Sequence, residues 1–551
     1  MSLWGGAIAV HAAAGLISPP ARASSLSLSS RIERLYSPRF HFDEDGEPWT
    51  TIGLVEHART INLSAAGGLR VLPSGPGGTS ILAGASWTIS IEQAEPALQR
   101  FEIVLESFDV TQIREVARAR DKWTAKGLTV HQREVGSLFG VGGRVLDTRK
   151  YILTAEADAS SDAEASRHAR VLHQRHGAVG TVQPFLTRQP AGRLVARDRD
   201  GNAMIKAQQV LWFEPSGSGT ITVHDVPYGV TSGSRGTDDR EYRGLIYVAV
   251  GRDGKLCVVN QVRETDILAG IVPAEIYASA PPPALAAQAI AARGQLVAKV
   301  GTRHLADPFL LCAHQHCQVY AGASREHPRT TAAVRATRGQ ILMRPGRTTM
   351  VDTVYSANSG GHTEHNELVW DSPLDPQLRG RADPLLHAPF AHGIESQNLG
   401  AWLGSTPKSY SSTKGTNGKS SYRWTTTIDP VSVAGNSGVA QAFGALEGLT
   451  IHKRGVSGRA IDVSLIGTRG EVRIHGEFAI RKALGGLKSS MFVVEEQRDR
   501  YGRFVLHGGG HGHGVGMCQH GAMGMARANL SAQKILAHYY GGATVVRLWG
   551  T

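Results

Sequence analysis

"DILAGIVPAEIYASAPPPALAAQAIAARGQLVAKV", residues 266–300, decides how this chain is read. One acid, Glu275, stands among Ile271, Val272, Pro273 and Ile276, and past the proline run at 281–283 an alanine-rich helix begins. A carboxyl group in apolar surroundings resists ionisation, because desolvation penalises the anion, so it can hold a proton near neutral pH and donate it. The plainer reading is an ordinary glutamate near a helix N-terminus, where the macrodipole favours negative charge.

On the N-terminal side of this stretch, "GTITVHDV", "GLIYVAVG" and "KLCVVNQV" (219–262) have the β-branched, alternating character of strands. On its C-terminal side, "HLADPFLLCAHQHCQVYAG" (304–322) sets Cys312 and Cys317 at a spacing that lets one loop wrap two thiolates around a tetrahedral Zn²⁺. His304, His314 and His316 are within reach as further ligands, and two free buried thiols are the alternative. Then "DTVYSANSGGHTEHNELVW" (352–370) ends a strand in small polar residues that let a substrate approach the backbone. Finally "GGGHGHGVGMCQHGAMGMA" (508–526) alternates glycine with His511 and His513 ahead of Cys518, Gln519 and His520. The polar stretch 400–422 reads as a solvated insertion loop.

Further toward the N-terminus, 45–94 reads as a small β-rich segment of short strands between Gly and Pro turns. Residues 98–188 follow a strand–helix–strand pattern twice: "RFEIVLESF", "TQIREVARARDKWTAKG", "LTVHQREV", then "KYILTAEA", "SDAEASRHARVLHQRHG", "AVGTVQPFL". That order predicts a ferredoxin-like βαββαβ sheet and is similar to SPOR domains, which bind glycan strands stripped of their peptides. Residues 1–30 read either as an export signal lacking a positive start or as a disordered Ala/Pro/Ser tail.

A chain of 551 residues exceeds what one core usually supports, so several domains are expected. With 41% apolar and 19% charged residues it is globular, and no apolar run approaches the roughly 18 residues that span a bilayer. The excess of 59 Lys+Arg over 47 Asp+Glu favours anionic surroundings, but the basic residues are dispersed, without the aromatic-interleaved stripe of a nucleic-acid binder. Four cysteines are too few for a disulfide framework.

Taken in order, "DILAGIVPAEI", "ALAAQAIAAR", "HCQVYAG", "YSANSGGHT" with "VW", "RGVSGRAIDVSLIG", "AIRKALGGLKSSMFVV", the glycine–histidine block and "ILAHYYGGA" resemble the stage II sporulation protein D family, which includes the amidase enhancers. The resemblance covers about 220–545 and implies an α+β, multidomain protein whose catalytic domain, 195–551, mixes sheet and helices. It implies a lytic transglycosylase that cleaves denuded peptidoglycan between MurNAc and GlcNAc and leaves a 1,6-anhydro-MurNAc end. Carried over by motif, Glu275 is the general acid/base, Arg293 a cleft arginine, and Cys312 and Cys317, with His304, the ligands of a structural or cleft-organising Zn²⁺. Tyr355, Ser359, Gly360, Gly361, Thr363, His513 and Gln519 fall on substrate-binding positions. His511 and His520 depart from the aromatic residues usual there, and Cys518 stands where serine is usual.

One acid suffices for that reaction, because the substrate's own C6 hydroxyl is the nucleophile, whereas most glycosidases need two carboxylates. The implied setting is the cell envelope, periplasmic or secreted, with glycan strands and a cell-wall amidase as partners and no nucleic acid. Two rivals stand beside this reading: a zinc peptidase of the cell wall using His511 and His513, and a non-catalytic glycan binder that enhances an amidase.

Overall fold

The structure is a computed structural model that describes residues 28–550 apart from 179, 200–202, 230–235, 371, 384, 386–389, 391, 413–420 and 437–442. The N-terminal signal or tail, up to residue 27, lies outside the described residues. Architecture is mixed α+β, and no described helix is long and apolar enough to cross a membrane.

Strands Leu245–Val250 and Leu256–Arg263 are runs of Val, Ile and Leu buried on both faces, so they occupy the middle of a sheet. That sheet runs in the spatial order Pro48–Ala58, Leu256–Arg263, Leu245–Val250, Val210–Pro215, Leu69–Leu72. A second sheet is ordered Met204–Gln208, Ala191–Asp198, Ser86–Glu95, Thr60–Ser64, Ile221–Tyr228, Gly236–Tyr242. Both therefore interleave strands from before residue 95 with strands from after 191. The β-rich segment 45–94 is no module of its own. Its strands complete ladders with partners roughly 100 to 210 positions later, as in Glu95↔Ala191, Ser64↔Thr222 and Thr50↔Val262.

Between the paired ends Glu95 and Ala191 the chain leaves and returns, and residues 98–188 fill that gap. Four antiparallel strands lie in the order Thr181–Arg188, Leu98–Asp109, Lys150–Ala157, Val130–Val135. Helices Ile113–Ala125 and Asp162–His176 pack on them over Phe101, Ile103, Trp123, Ala165 and Leu172. The second helix is bounded as its sequence requires: the Ser161 hydroxyl accepts from the Glu164 N–H, and Gly177 closes it in the left-handed region. An extra hairpin, Leu138–Val141 with Arg144–Asp147, escapes the sequence reading. It sends Phe139, Val141 and Leu146 out of the insert and into the main core, where Phe139 meets Phe40 at 5.6 Å.

Two helices follow the central sheet. Glu264–Glu275 is buried through its first turns, and Pro282–Lys299 is buried on nearly every side, the mark of a central helix. A separate lobe, Arg423–Gly509, has its own core around Trp424, Phe443, Leu465 and Phe492. The solvated loop expected at 400–422 lies partly outside the described residues, at 413–420, and its flanks are not solvated. Trp402 and Tyr422 are buried, and the Ser409 and Ser411 hydroxyls bond the Asp383 carboxylate.

Candidate functional site

Glu275 is the last residue of its helix, which Pro273 and the turn to an extended Ile276 bring to an end. It therefore sits at the C-terminal end of the macrodipole, where a negative charge is disfavoured, and not near the N-terminus. Burial pushes its carboxyl up to about 7, against the Lys299 ammonium and an N–H donated by Val319, which favour the anion. Lys299 is itself buried and donates to the Cys317 carbonyl, so the acid and the cysteine loop share a neighbour.

The glycine–histidine ribbon is brought to this acid by Tyr355–Ser356, which pairs in parallel with Met517–Cys518. The Tyr355 hydroxyl is buried within electrostatic range of Glu275. His513 accepts from the Val515 N–H at 3.0 Å, bonds the Tyr355 backbone, and packs at 4.9 Å against Trp370. Burial holds its imidazole down to about 3, so it is neutral at any physiological pH. The Gln519 amide donates to Gln288 at 3.3 Å. Two residues beyond the acid, Tyr277 meets His520 edge-on at 6.5 Å. Tyr277 and Trp370 are 45% and 46% exposed, an uncommon state for large aromatics and one suited to stacking on a sugar face.

Several sequence-expected residues lie elsewhere. Arg293 is not a cleft residue: its guanidinium, 0% exposed, pairs with Glu264 at 2.6 Å and donates to the Gln340 and Val334 carbonyls. Glu264 opens the helix that Glu275 closes, so this pair lies at the other end of it. Ser359 and Thr363 are buried beneath the ribbon. The Ser359 N–H donates to the Cys518 sulfur and Thr363 is bonded to Arg381. Gly360 and Gly361 take φ of 73° and 104° because the ribbon backbone at Gly510 and the Trp402 ring leave no room for a side chain. These four hold the site up from below.

The ribbon glycines have the same cause. Gly514 and Gly516 take φ of 80° and 68°, and a Cβ would strike the Arg459 guanidinium at 2.4 Å or the Val354 carbonyl at 2.1 Å. Their bare backbone answers to the protein interior and not to a ligand. His513 accepts from Val515 at Nδ1 and bonds the Tyr355 backbone as well, and the metal-ligand group found among the described residues includes neither His511 nor His513.

A metal-ligand set is present where the cysteines predicted it, with one member added. His304, Cys312, His316 and Cys317 have ligand atoms all within 4.8 Å of one another, whereas His314 stays outside. Sulfur-to-nitrogen separations are 3.4 Å (Cys317–His304), 3.7 Å (Cys312–His316) and 3.8 Å (Cys317–His316). Tetrahedral Zn²⁺ with ordinary bond lengths requires edges of about 3.6 Å, so two thiols and two imidazoles fit it. Asp307 accepts at 2.9 Å from His304 Nδ1, leaving Nε2 toward the thiols, as a carboxylate behind a ligating histidine does. Cys312 is fixed by Leu311–Cys312 joining the edge of Pro48–Ala58 in parallel.

Lys299, Tyr277 and Trp370 were not singled out from sequence, and His316 stood there only as one of three histidines within reach of the cysteines. Gln288, Gln295 and Lys299 recur on one face of an apolar helix at helical spacing, a signal that marks the face turned toward the acid and the cysteine loop.

Residues 252–343, which hold both helices, Glu275 and the cysteine loop, match the stage II sporulation protein family, and 364–516 match a domain of unknown function. An uncharacterized protein of Brachyspira hyodysenteriae is 28% identical over 56% of this chain and 72% of its own length. The amidase enhancer of Bacillus subtilis is 27% identical over 50% of this chain, and the match spans 40% of that protein. Stage II sporulation protein D of Bacillus amyloliquefaciens is 26% identical over 57% of this chain and 82% of its own.

Proposed function

This chain belongs to the stage II sporulation protein D and amidase-enhancer family, and we propose that it acts on the cell wall as a lytic transglycosylase of peptidoglycan glycan strands, denuded of stem peptides. The observation that carries this reading is Glu275: a carboxyl raised to about 7 by burial, with the Tyr355 hydroxyl in electrostatic range and the exposed Tyr277 two residues on, against His520 of the ribbon. Protonated, it gives its proton to the glycosidic oxygen as the bond from C1 of MurNAc breaks, and the GlcNAc leaves as an alcohol. The C6 hydroxyl of the same MurNAc then attacks C1, and its proton returns to the Glu275 carboxylate. Water is not consumed, and the ring closure is intramolecular, which removes the entropy of bringing in a second reactant.

The Val319 N–H orients the carboxyl, the Tyr355 hydroxyl and Gln519 offer directional hydrogen bonds beside it, and the neutral His513, with its ring bonded to Val515 and the Tyr355 backbone, holds the ribbon in place. Zn²⁺ would be held by His304, Cys312, His316 and Cys317 as a clamp that fixes the loop carrying Val319. We read 98–188 as a SPOR-like, ferredoxin-like module that holds the strand, a reading supported by its strand order. The setting is the cell envelope, and an amidase is the partner that supplies denuded strands.

Mass analysis of products from denuded glycan tests the proposal. Wild-type protein is expected to yield 1,6-anhydro-MurNAc ends, and Glu275→Gln to lose about 10² to 10⁴ of the rate. Glycan capture without product from the wild type points to a non-catalytic enhancer, and full activity in the variant removes Glu275 from its role.

A further inference from the structure

Beside the ribbon, the lobe Arg423–Gly509 carries a pocket of about 540 Å³. One wall is the strand Arg423–Ile428 with Trp424, Thr425, Thr426 and Thr427, and the other is the turn Gly485, Gly486, Leu487, Lys488. Two of these lining residues hold the ribbon directly. The Trp424 indole N–H donates to the Gly510 carbonyl at 2.8 Å, and the Lys488 carbonyl accepts from the Gly512 N–H at 2.8 Å. The pocket therefore abuts the backbone that bears His511 and His513, and Lys488 is close enough to His511 to depress its basicity, after burial and Arg481.

Its lining is hydroxyl-rich with one aromatic and bare glycines, the surface chemistry of a carbohydrate site, and its volume lies within the roughly 300–1,000 Å³ of ligand pockets. Its charges are unequal in availability. Arg503 is engaged by Asp499 at 2.7 Å, and Asp429 accepts from the Val431 N–H at 2.8 Å. Lys488 is exposed and has no carboxylate partner among the described residues.

We propose that this pocket is a distal subsite for the glycan strand and that the Lys488 ammonium pairs with a carboxylate carried on a sugar. Resting on the function proposed above, this names the feature of the strand being read: the free lactyl carboxylate that each MurNAc exposes once its peptide is gone. A strand with peptides has that group tied up as an amide and offers Lys488 no carboxylate on the sugar itself. Preference for stripped strands then resides in the lobe, away from Glu275, and acts on binding more than on the chemical step.

Calorimetric titration of the full-length chain in a Glu275→Gln background tests it, with two probes of equal length: denuded glycan, and the same glycan with its carboxylates converted to primary amides. One exposed ammonium–carboxylate contact corresponds to at most about fivefold in Kd, so the acid probe is expected to bind about two- to fivefold tighter. Lys488→Met is expected to erase that preference, and Lys488→Arg to keep it. Because Lys488 is an exposed side chain whose backbone contact survives substitution, the variants should fold as wild type. Equal binding of the two probes, or a preference that survives in Lys488→Met, overturns the subsite while leaving transglycosylation standing. Binding of neither probe overturns both.

Discussion

Glu275 sits where two penalties on its anion coincide, burial and the negative end of its own helix. Its folded pKa lies above the ordinary carboxyl value, so its contribution to stability is fullest below about pH 4.5 and is lost as pH rises through about 7. Glu275→Gln, which never ionises, should therefore be more stable than wild type at pH 8, by about 1–3 kcal/mol, and equal to it near pH 4, as thermal melts at the two pH values would read. Cleavage by wild type should fall as pH rises through the same region. Arg293 makes the opposite point. Removing it strands Glu264 in the core, and Arg293→Met should cost about 3–5 kcal/mol in denaturant titrations while leaving KM for glycan unchanged in whatever remains folded. The acid was legible in sequence because its apolar neighbours are adjacent in the chain. The arginine was not, because its partner lies 29 positions away and a buried ion pair has the same local sequence as a cleft cation.

At the scale of elements, the ribbon and the cysteine loop are both shaped by what lies behind them. Gly516→Ala places a methyl group against the Val354 carbonyl at a left-handed φ, and should lower stability by about 1–3 kcal/mol and activity with it, measured by melting and by product yield. Alternating glycine announced an unusual backbone, but its cause, Arg459 and Val354 packed underneath, could not be seen without the fold. For the loop, protein purified without chelator should carry about one zinc per chain by elemental analysis, lost in the Cys312→Ser, Cys317→Ser double variant. Cysteine spacing gave away this site. His316 was one of three nearby candidates until the turn placed it beside both thiols.

On the scale of the whole molecule, strand and helix types along 98–188 could be read from periodicity, but the assembly of the sheets could not, since no local pattern says that Pro48–Ala58 pairs with Leu256–Arg263. The hairpin through the middle of the insert was equally hidden, as "LFGV" and "RVLD" are too short to show alternation. Its consequence is testable: Phe139→Ala, a change inside the insert, should destabilise the main core by about 3–5 kcal/mol and shift its melting, while leaving the insert's own sheet intact by hydrogen exchange. The interleaved ladders also set an order of events during synthesis. A ribosome must deliver some two hundred further residues before the edge made by residues 48–58 finds its mate, and closing so long a loop is slow. Nascent chains thus spend that interval with an unzipped hydrophobic margin, a state open to holdase chaperones and to threading through a translocation pore.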